Sequence, residues 1–146
     1  VTLLVPLLAT ALVAITIYWL GSGQFGRNQT QAWIDRLRRF PAIQEFLNAQ
    51  HGRIRASAHY VEFGGLYLVL YWLWDAALGA GMFLFEWWPA VVLWVVCAIA
   101  AYLDELHQLT SGTRQFRRVD FLHSCCGITI AMGVIYTQEF VRLLLL

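Results

Sequence analysis

Apolar residues gather into four runs, each long enough at about 1.5 Å per residue to approach the ~30 Å hydrocarbon thickness of a bilayer. The first, residues 1–20, carries no charge and ends on Tyr18 and Trp19, rings suited to the membrane–water boundary. It has no basic leading segment and no clear small-x-small cleavage pattern before Gly21, Ser22 and Gly23, so it reads as an anchor and not as a signal peptide. The second run, 57–78, holds His59 and Glu62 in its opening turns and gives way to a turn around Gly79 and Gly81. The third, 88–106, starts with Pro89, whose missing N–H costs nothing in the first turn of a helix. The fourth, 119–140, contains Gly127 and Ala131 at a spacing that permits close helix approach.

Between the first two runs the pattern changes. Trp33, Ile34, Leu37, Phe40, Ile43, Phe46 and Leu47 recur at three- and four-residue steps, with arginine and glutamine on the opposite face. This predicts an amphipathic helix lying in the interface over 28–50, broken after Phe40 by Pro41. The whole pattern predicts an all-α integral membrane protein in one domain, 1–146. It has four transmembrane helices, plus the interfacial helix between the first and second, and is multi-pass in the cell membrane.

Composition agrees: 60% of residues are hydrophobic and 13% charged, outside the range of soluble domains. All 10 basic residues are arginines, and a net charge of +1 gives a nucleic-acid partner no electrostatic support. Cys97 lies within an apolar run and Cys125 and Cys126 are adjacent, so all three are read as thiols. Arg27, Arg36, Arg38, Arg39, Arg53 and Arg55 fall in the first connection and Arg114, Arg117 and Arg118 in the third, with none in the second. The positive-inside rule then places the first and third connections in the cytoplasm.

Alternating helix directions bring the end of the first run, the start of the second, the end of the third and the start of the fourth to one membrane face. That face collects the candidate chemistry. His59 and Glu62 are three residues apart, as are Asp104 and His107, and Asp120 and His123, so each helix offers a carboxylate and an imidazole one turn apart. Gln108 and Ser124 follow on the same sides. Ionisable groups inside a membrane are costly when unpaired, so partners are expected, with Arg114, Arg117 and Arg118 the nearest. Asp104 shares a face with His107 and Gln108 and is expected to point inward, while Glu105, about 100° away on the helix, turns toward Arg114 or water.

Imidazoles beside carboxylates form general acid–base pairs, for which His59, Glu62, Asp104, Glu105, His107 and Asp120 are the candidates. Gln108, Arg114, Arg117, Arg118, His123 and Ser124 are the candidates for holding a phosphate or carboxylate on a membrane lipid or lipid-linked ligand. The same acids and histidines suit a divalent metal. No cofactor is expected, however, because neighbouring arginines oppose a cation. Ser124 is read as a helix-lining residue and not as a nucleophile. A non-catalytic membrane binding or shielding protein, whose polar cluster only fixes helix packing, is the rival reading. A proton relay ranks below both, since the far halves of the helices are read as lacking the ionisable groups it needs.

Asp104-Glu105-Leu-His107-Gln108, followed by Arg114, Asp120 and Gly127, and preceded by His59-Tyr-Val-Glu62-Phe, resembles the VanZ family over roughly residues 22–135. The chain departs from that pattern at Ala56, where the family usually has lysine, at Phe63 (tyrosine), at Thr113 (glycine) and at Ser124 (asparagine). The resemblance implies a small integral membrane protein of a bacterial-type envelope. The member that names the family is associated with resistance to the lipoglycopeptide teicoplanin, which implies amphiphilic or lipid-linked ligands.

Overall fold

The computed structural model describes residues 3–19, 32, 36, 40–78, 87–110 and 117–145, the side chains of 48 and 51 excepted. Within them lie four principal helices: α1 (Leu4–Trp19), α2 (Pro41–Leu78), α3 (Trp88–Thr110) and α4 (Arg118–Leu144). By length and composition α3, α4 and the Gly52–Leu78 part of α2 can cross a membrane, while α1, apolar throughout, is shorter at 16 residues. This is an all-helical membrane protein. The expected turn around Gly79 and Gly81 lies outside the described residues.

One sequence-based boundary is corrected. Residues 41–50 do not form a helix separate from the second run; they are the first turns of α2, which continues unbroken through Ser57 to Leu78. Pro41 occupies the first turn, where it leaves no intrahelical acceptor empty, and it opens this helix instead of breaking one. Beyond it no proline recurs and Gly52 alone weakens the helix before Gly64, so nothing stops propagation. Trp33, Ile34 and Leu37 lie outside the described residues. At the other ends α3 runs past 106 to Thr110, and α4 runs past 140 to Leu144.

α2 is the hub. It packs on α1, α3 and α4, most extensively on α4. Each partner contributes a narrow inward stripe: Phe63, Leu66 and Tyr67 on α2; Ala90, Leu93, Cys97 and Ala101 on α3; Ile128, Ala131 and Ile135 on α4. Ile17 of α1 joins this core, while most other large apolar side chains of α1 and the outer faces of α3 and α4, including Leu12, Ile15, Val95, Ile99, Ile130 and Val134, point outward, as a lipid-facing surface requires.

At the far end of the bundle the Tyr71 hydroxyl on α2 donates to Glu139 Oε1 on α4 at 2.8 Å, and Glu139 is buried. The far half of α4 therefore does carry a buried acid, contrary to the sequence-based reading. Between it and the near end the inward stripe is apolar apart from Tyr67, whose hydroxyl donates to the Ala90 carbonyl at 3.4 Å.

Candidate functional site

The inward stripes change character at one end. On α2 the phase of Phe63 and Tyr67 continues back to His59 and Arg55; on α3 that of Cys97 and Ala101 continues to Glu105 and Gln108; on α4 that of Ile128 continues back to Ser124 and Asp120. Three helices thus deliver polar groups to one point for the same reason that they deliver small and apolar groups below it. Glycines set the spacing: a Cβ on Gly64 would lie 3.0 Å from the Gly127 carbonyl oxygen, so backbones of α2 and α4 nearly touch one turn from His59 and Ser124.

His59, Glu105 and Asp120 are the centre. All three are buried, and one donor atom from each lies within 4.8 Å of the others. His59 Nε2 stands 4.0 Å from Glu105 Oε1. Its Nδ1 faces Ser124 Oγ at 3.4 Å and Glu62 Oε2 at 4.0 Å. Glu105 Oε2 accepts the Arg117 backbone N–H at 3.3 Å, which ties the end of α3 to the start of α4. Asp120 forms an ion pair with Arg55. Around this centre Asp104 Oδ2 accepts from Gln108 Nε2 at 2.6 Å, and Gln108 is buried. The His107 ring stacks on Tyr18 of α1 at a centroid distance of 5.1 Å, and the His123 ring tilts against Tyr60 at 5.4 Å.

The structure brings together His59, Glu62, Glu105, Asp120 and Ser124, with Asp104 and Gln108 beside them. His107 and His123 are half-buried and occupied with aromatic partners, outside the three-group centre. Arg114 lies outside the described residues. Arg117 and Arg118 are exposed, and what Arg117 contributes inward is its backbone N–H.

One expectation is reversed. Glu105, not Asp104, is the carboxylate that points into the bundle, at 1% exposure, while Asp104 is half-buried. The cause is helical phase: Ala90, Leu93, Cys97, Ala101, Glu105 and Gln108 form one buried stripe at three- and four-residue steps, and Asp104 falls off it. Among the described residues Asp120 is paired by Arg55, which reasoning from the sequence missed as a site residue. The available signal was its position one turn before His59 on the stripe through Phe63 and Tyr67.

Ser124, His59 and Glu105 resemble a nucleophile–base–acid row, but the hydroxyl is not set up to attack. Ser124 is 1% exposed, and its O–H donates to the Asp120 carbonyl at 3.2 Å, the usual back-bond of a helix serine. Ser124 Oγ then accepts from His59 Nδ1. The cluster is fitted to hold a charged group or a cation between helices, with Glu62 and Asp104 at its partly open rim.

The VanZ/LLP1 family profile matches residues 6–142. No curated protein and no solved structure matches the chain. The matched segment contains every helix that builds the cluster, from α1 to all but the last residues of α4. Matched over nearly its whole length, the chain belongs to the VanZ/LLP1 family.

Proposed function

We propose that the protein is a multi-pass envelope membrane protein with four spans, whose cluster at one membrane face binds the polar head of an amphiphilic or lipid-linked envelope component. The observation that carries the reading is the burial of His59, Glu105 and Asp120, from three different helices, at one point near the helix ends. Each such group in a membrane costs several kcal/mol by order of magnitude unless it is partnered, which is hard to explain as packing alone. Arg117 and Arg118 stand exposed at the start of α4 beside the cluster and supply the attraction for an anionic head. The arginine distribution supports a cytoplasmic position for this face, which favours a lipid-linked component over an externally acting antibiotic as the occupant.

The test is organic extraction of the detergent-purified protein followed by mass spectrometry, against the lipid profile of the source membrane. One acidic amphiphile should be enriched over bulk lipid, and the Glu105→Gln and Arg117→Gln/Arg118→Gln variants should lose that enrichment while staying folded. Co-purifying lipid that mirrors the bulk membrane in all three proteins would sink the reading.

A further inference from the structure

The geometry points to a divalent metal site: we infer that His59 Nε2, one Glu105 oxygen and one Asp120 oxygen hold a first-row cation such as manganese or zinc. The inference rests on reading this cluster as a site, and not on which amphiphile the site receives.

The argument begins with the gap between His59 and Glu105. The two atoms that face each other, His59 Nε2 and Glu105 Oε1, are both buried and stand 4.0 Å apart. Glu105 Oε1 has no hydrogen-bond partner among the described residues. On the other side of the ring, Nδ1 has acceptors: Ser124 Oγ, whose own proton is committed to the Asp120 carbonyl, and Glu62 Oε2. The tautomer that satisfies Nδ1 puts its proton there and turns the Nε2 lone pair toward the Glu105 oxygen. Glu105 Oε1, buried and without a hydrogen-bond partner among the described residues, is thus aimed at an imidazole nitrogen, and a cation between them would satisfy it and take the ring as a second donor.

The size of the gap selects the filler. A shared proton draws nitrogen and oxygen to about 2.7–3.2 Å. A metal ion bonded to each donor at about 2.0–2.2 Å instead holds neighbouring donors roughly 3 Å apart and opposite ones roughly 4.3 Å apart. Donors that all lie within 4.8 Å of one another reach that arrangement by closing about an ångström or more, a distance that side-chain rotation covers.

Charge and donor type agree. The sequence-based objection was that arginines would repel a cation, but Arg117 and Arg118 are exposed and Arg55 is paired with Asp120. One imidazole with two carboxylates suits manganese, iron or zinc, and does not suit calcium, which takes six to eight oxygens, or copper(I), which takes sulfur. The surroundings are those of an oriented metal ligand set: Ser124 and Glu62 behind the imidazole, the Arg117 N–H on the free oxygen of Glu105, and Arg55 on Asp120.

The test uses the full chain in detergent, stripped with a chelator and reconstituted separately with manganese, zinc and magnesium chlorides. After desalting, bound metal is counted by mass spectrometry, and thermal unfolding is followed with and without each ion. Manganese or zinc should be retained at about one ion per chain and should raise the unfolding temperature, because an ion bound only by the folded state stabilises it. Glu105→Gln and His59→Gln should each lower retention by about tenfold or more, and neither should show the temperature rise. The site is overturned if the stripped wild-type protein retains neither metal and its unfolding is indifferent to both. It is equally overturned if retention survives Glu105→Gln, or if both variants unfold before purification while the wild type shows no rise. Lipid extracted from the same stripped sample separates the two readings. An enriched amphiphile without metal retention sinks this inference alone, and metal retention without an enriched amphiphile sinks the lipid reading alone.

Discussion

Gly127 on α4 meets Tyr60 on α2 so closely that a Cβ at 127 would stand 2.5 Å from the Tyr60 carbonyl oxygen and 2.7 Å from its Cα. Both neighbours are backbone, so neither can rotate away. An alanine there has to push the helices apart just below His59 and Ser124. Gly127→Ala should destabilise the protein by about 1–3 kcal/mol, as overpacking does. Gly133→Ala, on the same helix with nothing within 4 Å of its would-be Cβ, should be neutral or should stabilise by about 0.5–1 kcal/mol. Thermal unfolding of the two variants in the same detergent decides the matter, and equal unfolding temperatures would show that the crossing is not tight.

Arg55 and Asp120 form an ion pair whose side chains are 18% and 5% exposed, so removing one partner leaves the other short of solvent. Arg55→Met and Asp120→Asn should each cost on the order of 3–5 kcal/mol, and the double replacement less than the sum of the two. A double-mutant cycle by chemical or thermal unfolding measures the coupling. Strict additivity would mean that the pair is incidental to the fold.

Glu105 and Asp104 are neighbours in sequence with opposite surroundings. Glu105→Gln keeps the shape and an oxygen for the Arg117 N–H but removes the inward charge, whereas Asp104→Asn keeps an oxygen for Gln108. Glu105→Gln should abolish the enrichment of the co-purifying amphiphile while unfolding within a few degrees of wild type. Asp104→Asn should retain most of it. Mass spectrometry of the lipid extracted from each purified variant provides the comparison, and the reverse order would restore the inward role to Asp104.

This pair also shows where the sequence was and was not sufficient. Runs of apolar residues made the all-helical membrane fold and the clustering of polar groups at one end legible, because helix length and hydropathy are local properties. Which of two adjacent acids points inward is decided by phase against three neighbouring helices. The acid-rich segment was read by its own spacing, without carrying the Ala90-to-Ala101 stripe through it. Arg55 was missed for a related reason: it was counted with the loop arginines, since a helix boundary was placed at Ser57 where the chain has none.

The orientation that the arginines favour is open to direct measurement. In a background with Cys97, Cys125 and Cys126 replaced by alanine, a cysteine at the exposed position Thr110 should resist a membrane-impermeant thiol reagent in intact cells and react after permeabilisation. Reaction in intact cells would put the cluster on the outer face, and with it the case for a lipid-linked ligand of the inner leaflet would fail.

The continuity of α2 has a mechanical meaning. Its 38 residues make a rod about 57 Å long, nearly twice the ~30 Å hydrocarbon thickness. The part before Gly52 lies ahead of the apolar span and presents Phe46 and Ile43 to the surroundings. Sharp bends in helices arise at prolines, glycines or bulges, and the path from Phe46 to His59 contains only Gly52 among these. A neighbour or lipid that grips the overhang and rolls it therefore exerts torque on His59 and Arg55 about 20 Å along the rod. Any load on the segment ahead of the apolar span would reach the buried cluster through the helix itself.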